Sequence, residues 1–534
     1  MKRLLVTFSL LMLVSTAIPV SGVAEPKAVK IAPPAPRFTE AERHAELARR
    51  RAAVAAKMAD NSIMVLFPAE PRIYTNDVDY VYRQENNHYY LTSLKQDGST
   101  LVIAKSGGKV TETLFLPKRV AFREAWEGKM YSREQATAIS GLTTIVDSSE
   151  REALLTALKD KKEFRSKDGA VTLPGSADNI YLVLPDGPQD RDGMREFRAE
   201  HEFSKTLNGY KVENAQVIFA ELRHIKSPYE LKMLQHAIDI TTEAQMRSMA
   251  TVGQANWEYE VHAEVEYTFR RRNADFWGYP SIVGCGANAT TLHYVESQSP
   301  IKKGELLLMD VGAEYEHYTA DVTRTYPVNG KFTKEQAEIY QIVYDAQEAV
   351  AKATKPGATF GELSQIARKT IGDGLFRLGL VTKKDSPQTG VWFIHGLGHW
   401  LGMNVHDVGT YSGPLRPGMV FTNEPGIYIR EDALDNLPDT PENRDFIIKV
   451  RPVFEKYKNI GVRIEDDMLV TPTGVIWMTK ALPRSIRDIE AFIALNQQPV
   501  RRTRSSLKTD NLFTDGTAQM VNGHLRTGFS VSGS

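Results

Sequence analysis

The sequence predicts two domains in tandem, an α/β domain over residues 38–220 and an α+β domain over residues 221–490. In the first segment, short apolar runs alternate with stretches of helical spacing, a pattern typical of α/β folds. In the second, long helical patterns are mixed with strand runs that suit antiparallel pairing. The chain has 534 residues, enough for both domains.

Charge and cysteine content exclude several classes of protein. Lys+Arg and Asp+Glu both number 66, so no overall field favours nucleic acid or an anionic membrane. The chain has one cysteine, Cys285, which excludes an intrachain disulfide and a cysteine-based zinc site. Residues 491–534 carry a small basic cluster among Ser and Thr, and we expect a flexible, solvated tail there.

The first 24 residues have the pattern of a secretory signal peptide. Lys2 and Arg3 precede the apolar run Leu4–Val14, which is shorter than the roughly 20 residues of a membrane span. Small residues at Gly22 and Ala24 predict a cut after Ala24. Residues 25–37 are rich in Pro and Ala and read as a linker. We therefore expect an exported protein, periplasmic or secreted, with no membrane span after processing.

The first domain is predicted to begin with a helix. Thr39 and Glu42 form a capping box, and the helical pattern runs to about Met58. Two further helical stretches are Arg133–Ala138 and Glu152–Leu158. The predicted strands are the apolar runs Ile63–Phe67, Leu101–Ala104, Leu114–Leu116, Ile180–Leu184 and Val217–Phe219.

The second domain is predicted to open at Ser227, which caps a helix with Pro228 at its first position. Further helices are marked by Trp257 to Phe269, by the cap Thr333 and Gln336, and by Phe360–Leu380. The predicted strands are Ser281–Val283, Leu306–Val311, Val322–Val328, Val420–Glu424 and Val462–Val470.

Two aspartates mark the centre of the second domain. Asp310 lies in one strand run and Asp321 directly precedes the next. An antiparallel hairpin with its turn centred on Tyr315 and Glu316 would place the aspartates opposite each other, with Cβ atoms about 5 Å apart. Two buried carboxylates that close repel each other and need a cation. The spacing suits two metal ions about 3.5–4 Å apart.

Further polar residues cluster downstream. His395, His399 and His406 fall within twelve positions among glycines, which favours a site over three isolated core or surface histidines. Glu424 ends a strand run before Pro-Gly, which is also compatible with an ordinary strand exit. In a continuous strand, Arg463 and Glu465 would share one face.

Together, the candidate ligands form a hard, oxygen-rich set of four carboxylates and one imidazole. The set is Asp310, Asp321, His399, Glu424 and Glu465. Four negative charges balance two divalent cations, and without metal the cluster would repel itself. This charge balance predicts a two-metal hydrolase.

The order and context of these motifs resemble the pita-bread metallopeptidases, specifically the aminopeptidase P and prolidase group. The stretch from Glu124 to Gly128, Glu-Ala-Trp-Glu-Gly, resembles part of that group's amino-terminal domain. Lys226-Ser-Pro-Tyr-Glu-Leu231 resembles the entry to its catalytic domain. The resemblance implies a pita-bread catalytic domain behind an α/β domain of the creatinase and aminopeptidase P type.

The resemblance also implies roles for single residues. Asp310 would chelate one metal, Asp321 and Glu465 would bridge both, and His399 and Glu424 would complete the other. Glu424 is also the expected proton shuttle to the leaving nitrogen. Arg463 would brace the acidic ligands. The histidines expected to face the substrate are His293, His395 and His406.

The implied activity is that of an exported Xaa-Pro aminopeptidase, in which a hydroxide bridging two metals attacks the bond before proline. Manganese is the first expectation for the metal, with zinc or cobalt as alternatives. One alternative function is a prolidase specific for Xaa-Pro dipeptides, for which Arg416 could receive the proline carboxylate. Another is a metal-free binding protein on the same fold. The family suggests a homodimer or homotetramer, and the charged stretch 430–451 looks like an insertion.

Overall fold

The computed structural model describes residues 28–497. The predicted signal peptide at 1–24 and the tail from 498 lie outside the described residues. In the predicted linker, Ala32 is buried, and its amide donates a hydrogen bond to Glu243 over 2.8 Å. Residues 28–37 therefore pack against the second domain in part, instead of forming a free linker. No helix among the described residues is long and apolar enough to cross a membrane.

The first domain is built on a six-stranded mixed sheet with the order β10-β9-β1-β4-β5-β6. Alternate residues of the central strands enter two hydrophobic clusters, one on each face, so both faces are covered. The strands of this domain are β1 (Ser62–Leu66), β2 (Ile73–Thr75), β3 (Val78–Asp79), β4 (Thr100–Ser106), β5 (Lys109–Leu116), β6 (Ile145–Asp147), β7 (Phe164–Arg165), β8 (Thr172–Leu173), β9 (Asn179–Leu182) and β10 (Lys211–Asn214).

Helices of the first domain cover this sheet. They are α1 (Glu40–Lys57), α2 (Asn86–Thr92), α3 (Ala121–Glu127), α4 (Arg133–Ser140), α5 (Arg151–Lys159), α6 (Arg191–Glu196), α7 (Arg198–Ser204) and α8 (Gln216–His224). The predicted strand Val217–Phe219 is wrong, because these residues belong to α8. Its Val217 is exposed while Ile218 and Phe219 are buried, so the apolar run is one side of a helix.

The second domain combines long helices with short antiparallel sheets. Its helices are α9 (Pro228–Thr251), α10 (Glu258–Arg271), α11 (Lys334–Ala353), α12 (Phe360–Leu378), α13 (Pro441–Tyr457) and α14 (Ile486–Gln497). Helix α14 continues seven residues past the predicted end of the domain at 490, and its Ile493 is fully buried. The stretch at 430–451 supplies the start of α13, whose Phe446 and Val450 enter the core.

Two three-stranded sheets of this domain frame a central cavity, with the orders β12-β13-β16 and β17-β20-β21. The strands are β11 (Phe276–Trp277), β12 (Ile282–Cys285), β13 (Leu306–Val311), β14 (Ala313–Tyr315), β15 (Tyr318–Thr319), β16 (Val322–Pro327), β17 (Val420–Asn423), β18 (Gly426–Tyr428), β19 (Gly461–Arg463), β20 (Asp466–Thr471) and β21 (Gly474–Trp477).

The central hairpin is present, but its predicted register is wrong. Asp310 pairs with Thr323, not with Asp321, and the turn is centred on Glu316 and His317. Both turn residues have positive φ, 50° and 66°, the geometry of a tight hairpin turn. The shift amounts to two residues on one strand, which preserves the face that each side chain occupies.

The predicted strand Val462–Val470 is also wrong as a single element. It divides into β19, which pairs with β18, and β20, which pairs with β17. Ile464 and Glu465 lie at the junction between these two sheets. Arg463 and Glu465 therefore do not share the face of one strand, although both side chains are buried.

Candidate metal centre

The central cavity has a volume of about 470 Å³ and collects the predicted site residues at its walls. Asp310 comes from β13, Asp321 precedes β16, and Glu424 follows β17. Glu465 lies at the β19–β20 junction, and His399 lies in the glycine-containing loop before β17. Strand ends of two sheets thus converge on one space. The other predicted residues that line it are His293, His395, His406 and Arg463.

The two aspartates are joined by a tyrosine that sequence reasoning missed. The Tyr279 hydroxyl lies 2.5 Å from Asp310 Oδ1 and 2.5 Å from Asp321 Oδ1. A hydroxyl donates one proton, so it compensates only one of two ionised carboxylates. The other side of Asp310 accepts a hydrogen bond from Arg463 Nη2 over 2.5 Å. The pair therefore keeps excess negative charge that a cation would neutralise.

His399 is oriented by its surroundings towards the carboxylates. Its Nδ1 lies 3.2 Å from the Trp400 carbonyl oxygen, which favours a proton on that nitrogen. Its Nε2 faces Asp321 Oδ2 at 3.2 Å and Glu424 Oε1 at 3.3 Å. A neutral ring with this tautomer aims a lone pair between two carboxylates, which is the arrangement of a metal ligand.

The backbone before His399 approaches strand β17 closely. A Cβ at Gly398 would lie 2.0 Å from the Thr422 carbonyl oxygen, so this position needs glycine. Thr422 Oγ1 in turn accepts a hydrogen bond from the His399 amide and donates one to Glu424, both over 3.0 Å. Thr422 thus links the imidazole and the glutamate that the sequence predicts to share one metal.

The fourth carboxylate, Glu465, is buried beside the arginine. Thr323 Oγ1 donates to Glu465 Oε2 over 2.6 Å and accepts from Arg463 Nε over 3.0 Å. Arg463 Nε is 3.9 Å from Glu465 Oε2, while Arg463 Nη2 binds Asp310 directly. Arg463 therefore contacts two of the acidic side chains, Asp310 and Glu465, as expected if it holds the acidic ligands in position.

The pKa values of several site residues are shifted because buried carboxylates lie close together. Burial first, and then Asp310, raises the pKa of Asp321. Burial and Asp321 raise the pKa of Glu465 well above its usual range. Burial alone would lower the pKa of His399, but hydrogen bonds with Asp321 and Glu424 hold that pKa above its usual value. Protons or cations are required to hold this set together.

The donor chemistry of this set fits divalent metal. Asp321, His399 and Glu465 each offer one ligand atom, and these atoms all lie within 4.8 Å of one another. Asp310 and Glu424 are not part of that triplet, although Tyr279 and His399 connect them to it. Carboxylate oxygens with one imidazole suit manganese, zinc or cobalt.

The three remaining histidines lie around the donor set. The His406 ring packs edge-on against the His399 ring, with centroids 4.3 Å apart. His395 Nε2 lies 2.8 Å from the Tyr428 hydroxyl, which also accepts a hydrogen bond from Arg463 Nη1 over 2.8 Å. His293 also lines the cavity. Both His293 and His406 are exposed and line the cavity, so they are available to a ligand.

The loop that carries His406 is anchored by buried charges. Asp407 accepts from Arg223 Nη2 over 2.6 Å and lies 3.4 Å from Lys226 Nζ, and all three side chains are buried. Asn86 of the first domain donates to Asn404 over 2.8 Å. The first domain and the linker after α8 therefore help to hold His406 in place.

Several partners in this site were not found from the sequence. No sequence pattern marks these partners, and only the fold brings them to the site. They are Tyr279, Tyr428, Thr323 and Thr422. Tyr279, which stands in Trp-Gly-Tyr-Pro before β12, offered a weak signal of a turn. In contrast, the candidate Arg416 is exposed and is absent from the lining of the cavity.

Comparison with known proteins identifies the family. The pattern of metallopeptidase family M24 matches residues 232–472, and that of the aminopeptidase P N-terminal domain matches residues 47–165. An Xaa-Pro aminopeptidase of Haemophilus influenzae is 33% identical over 83% of this chain and 96% of its own length. The chain belongs to metallopeptidase family M24. It is a hydrolase of the metallo-exopeptidase type, with a pita-bread catalytic domain.

Further relatives are similar to this chain in sequence or in structure. The Escherichia coli Xaa-Pro aminopeptidase is 32% identical over 84% of this chain and 97% of that protein. The structure of E. coli aminopeptidase P with the inhibitor Pro-Leu has a TM-score of 0.72 and 30% identity. It covers 87% of this chain and 100% of that chain. The proline aminopeptidase P II of Yersinia pestis has a TM-score of 0.71 and 32% identity, over 86% and 100% of the respective chains. The predicted fold class is thus confirmed for both domains.

Proposed function

We propose that this M24 chain is an Xaa-Pro aminopeptidase, which releases the amino-terminal residue that precedes a proline. The observation that supports this proposal most directly is one cavity lined by three buried carboxylates, those of Asp310, Asp321 and Glu465, and by the half-buried Glu424 and His399. The names of the relatives support the choice of substrate. We assign the metal ligands as Asp310, Asp321, His399, Glu424 and Glu465.

Divalent cations, when bound there, supply Lewis acidity and an activated water. Arg463 and Tyr279 keep the aspartates in place through hydrogen bonds. His406 stands next to His399 and donates to the oxygen of the scissile carbonyl as charge develops. Glu424 carries a proton to the leaving proline nitrogen. We further propose that these ligands would hold two divalent ions, with manganese as the native metal, and that the two ions together would activate the attacking water.

The shape of the substrate bond supports proline selectivity. An Xaa-Pro bond is a tertiary amide without an N–H, and its ring fixes the backbone angle φ. Tyr279, Pro280, Ile282 and Leu292 add apolar surface to the cavity lining. A rigid ring packs well on such a surface, whereas an ordinary peptide would bury an unpaired N–H.

The placement of Arg416 favours an aminopeptidase over a dipeptide-specific prolidase. A prolidase needs a cation for the proline carboxylate, and Arg416 lies outside the cavity lining. Among the described residues that line the cavity, the only guanidinium group is that of Arg463, which binds Asp310. A free carboxylate at proline therefore finds no unengaged arginine there.

Export and assembly are also part of the proposal. The first 24 residues support export with a cut after Ala24. Amino-terminal sequencing of native protein checks this, and a retained Met1 would contradict it. From the resemblance to aminopeptidase P we propose a homodimer or homotetramer, which light scattering of the purified protein would distinguish from a monomer.

The substrate test compares Ala-Pro-Ala, Ala-Pro and Ala-Ala-Ala with metal-loaded enzyme. We expect release of alanine from Ala-Pro-Ala, weaker turnover of Ala-Pro, and none of Ala-Ala-Ala. Metal analysis of the same sample should give two equivalents, and Asp321→Ala should lose metal together with activity. Preferred cleavage of Ala-Pro would favour the prolidase, and an inactive protein without metal would favour a binding protein.

A further inference from the structure

A second space opens from the central cavity and runs between the two domains. We call it the interdomain groove. It has a volume of about 810 Å³, and Val405 and His406 line both spaces. Residues 68–72 and helices α6 and α7 form one wall, and Phe276, Trp277 and Gly278 form part of the other. This volume is in the range that holds small peptides and drug-sized ligands.

The interdomain groove is lined by six carboxylates and three guanidinium groups. Two of the guanidinium groups are already engaged by carboxylates of the groove. Arg83 binds Glu314 over 2.8 Å, and Arg195 binds Asp192. Glu85 and Glu200 are the buried carboxylates that remain. The third guanidinium group of the lining is that of Arg72. The groove thus contains two buried carboxyl groups that do not pair with Arg83 or Arg195.

Glu200 on α7 is the most informative of these residues. Its side chain lines the groove, yet the residue is only 4% exposed. Among the ion pairs and side-chain hydrogen bonds of residues 28–497, none involves the carboxyl group of Glu200, and the hydrogen bond that it accepts comes from its own backbone amide. Burial, with smaller effects of Glu85 and Glu70, raises the pKa of Glu200 to about 8. A buried carboxyl without a cation is the feature that a basic ligand group would complete.

Glu85 lies close enough to Glu200 to act on it electrostatically. It caps α2 and accepts hydrogen bonds from the His88 amide over 2.7 Å and from Asn87 Nδ2 over 2.9 Å. These donors are neutral, and the cation that acts on Glu85 is Arg223, which already forms an ion pair with Asp407. Burial raises the pKa of Glu85 as well. Two fixed carboxyl groups therefore face the same part of the groove.

We propose that the interdomain groove binds the peptide residues that follow proline, and that Glu200 with Glu85 receives a lysine or arginine side chain there. This rests on the proposed aminopeptidase activity. An aminopeptidase holds one residue before the cleaved bond, so all further residues of a longer peptide extend to the other side. The shared lining at Val405 and His406 gives that chain a route out of the central cavity. The preferred substrates are peptides with a basic residue beyond the proline.

The test measures kcat/KM for hexapeptides of the form Ala-Pro-Ala-Ala-Ala-Ala. Lysine, glutamine or glutamate replaces one alanine at a time, at the third to sixth positions. We expect one position at which lysine exceeds glutamine by about tenfold, the effect of one charge-assisted hydrogen bond, and at which glutamate is disfavoured. A ratio near one at every position would overturn the proposal.

Variants of Glu200 then test whether the preference for lysine arises in the interdomain groove. In Glu200→Gln, the lysine-to-glutamine ratio at the selective position should fall to about one, and in Glu200→Lys glutamate should become the preferred residue. Each ratio compares two peptides cleaved by the same variant. A general loss of activity lowers both kcat/KM values equally and leaves the ratio unchanged. Glu202→Gln is the matched control, since Glu202 is exposed on the same helix and pairs with Lys205. It should keep the wild-type ratio.

The two proposals fail in different ways. Release of alanine from Ala-Pro-Ala-Ala-Ala-Ala and its variants without any charge preference would overturn the groove proposal alone. A charge preference that survives in Glu200→Gln would also overturn it, because the basic residue would then bind elsewhere. Failure to cleave any Xaa-Pro peptide by enzyme with full metal content would overturn the proposed function, and the groove proposal with it.

Discussion

At the residue scale, the two neighbouring histidines of the site are expected to differ in role. His399 faces two carboxylates, whereas His406 contacts the His399 ring edge-on and has no carboxylate within 4.0 Å among the described residues. His406→Ala should keep its metal and lower kcat and kcat/KM together by about 10²–10³, the loss of one oxyanion donor. His399→Ala should instead lose metal.

Metal content, melting temperature and steady-state kinetics separate these roles. If His406 only packs under the loop, His406→Ala would melt at a lower temperature while each folded molecule kept its activity. Loss of metal from His406→Ala, as readily as from His399→Ala, would show that the division between ligand and catalytic histidine is wrong.

The same scale shows what the sequence can reveal about a site. A charged residue in an otherwise apolar strand, such as Asp310 in β13, could be predicted as a site residue because a buried charge requires a compensating charge. Tyr279 and Tyr428 were not, because a tyrosine is as common in a core as in a site. Their roles depend on distances between strands that no local pattern encodes.

At the element scale, helix starts were predictable and strand register was not. The capping boxes at Thr39, Ser227 and Thr333 are all present, since a cap depends on residues three positions apart. The hairpin register depends on its turn, which here uses Glu316 and His317 at positive φ without glycine. His317 stacks on Tyr89 of the first domain at 3.7 Å, so a distant contact supports the turn.

The loop that carries His406 gives the element-scale prediction. Asp407→Ala would remove the ion-pair partner of the buried Arg223 and Lys226, and breaking a buried pair costs about 3–5 kcal/mol. We expect a loss of that order in the free energy of unfolding, measured in urea, together with a lower kcat. Asp432→Ala is the control, because its pair with Arg430 is exposed and should contribute less than about 1 kcal/mol. Equal stability of both variants would contradict the anchoring role.

At the scale of the whole molecule, the two predicted domains share one hydrophobic cluster. Met64 and Tyr89 of the first domain belong to the same cluster as Tyr318, Leu401 and Met403 of the second. Hydrophobic periodicity shows which side of an element is buried, but it does not show which other element covers that side. The boundary predicted at 220 falls inside α8, which runs from Gln216 to His224, and the packing between the two domains was not visible in the sequence. This packing also places the first domain against the loop of His406.

Buried neutral histidines in this region predict acid sensitivity of the entire fold. His88 on α2 is fully buried, and burial lowers its pKa to about 3. Because an unfolded histidine has a pKa of about 6.5, the unfolded chain binds a proton that the folded chain excludes between these values. Stability is therefore fully present above pH 6.5 and is lost as the pH falls, by up to about 1.4 kcal/mol per pH unit.

The variant His88→Gln removes the pH-dependent contribution of His88 to stability. It keeps a polar side chain near Thr92 and Ser99, which contact the imidazole ring in the wild type. Between pH 7 and pH 4.5, wild type should lose about 2–3 kcal/mol more unfolding free energy than His88→Gln. Urea unfolding of both proteins at equal metal concentration measures the difference. Since both chains carry the same metal site, release of metal in acid affects them alike and does not produce the difference. Parallel losses in the two proteins would show that acid acts elsewhere than at His88.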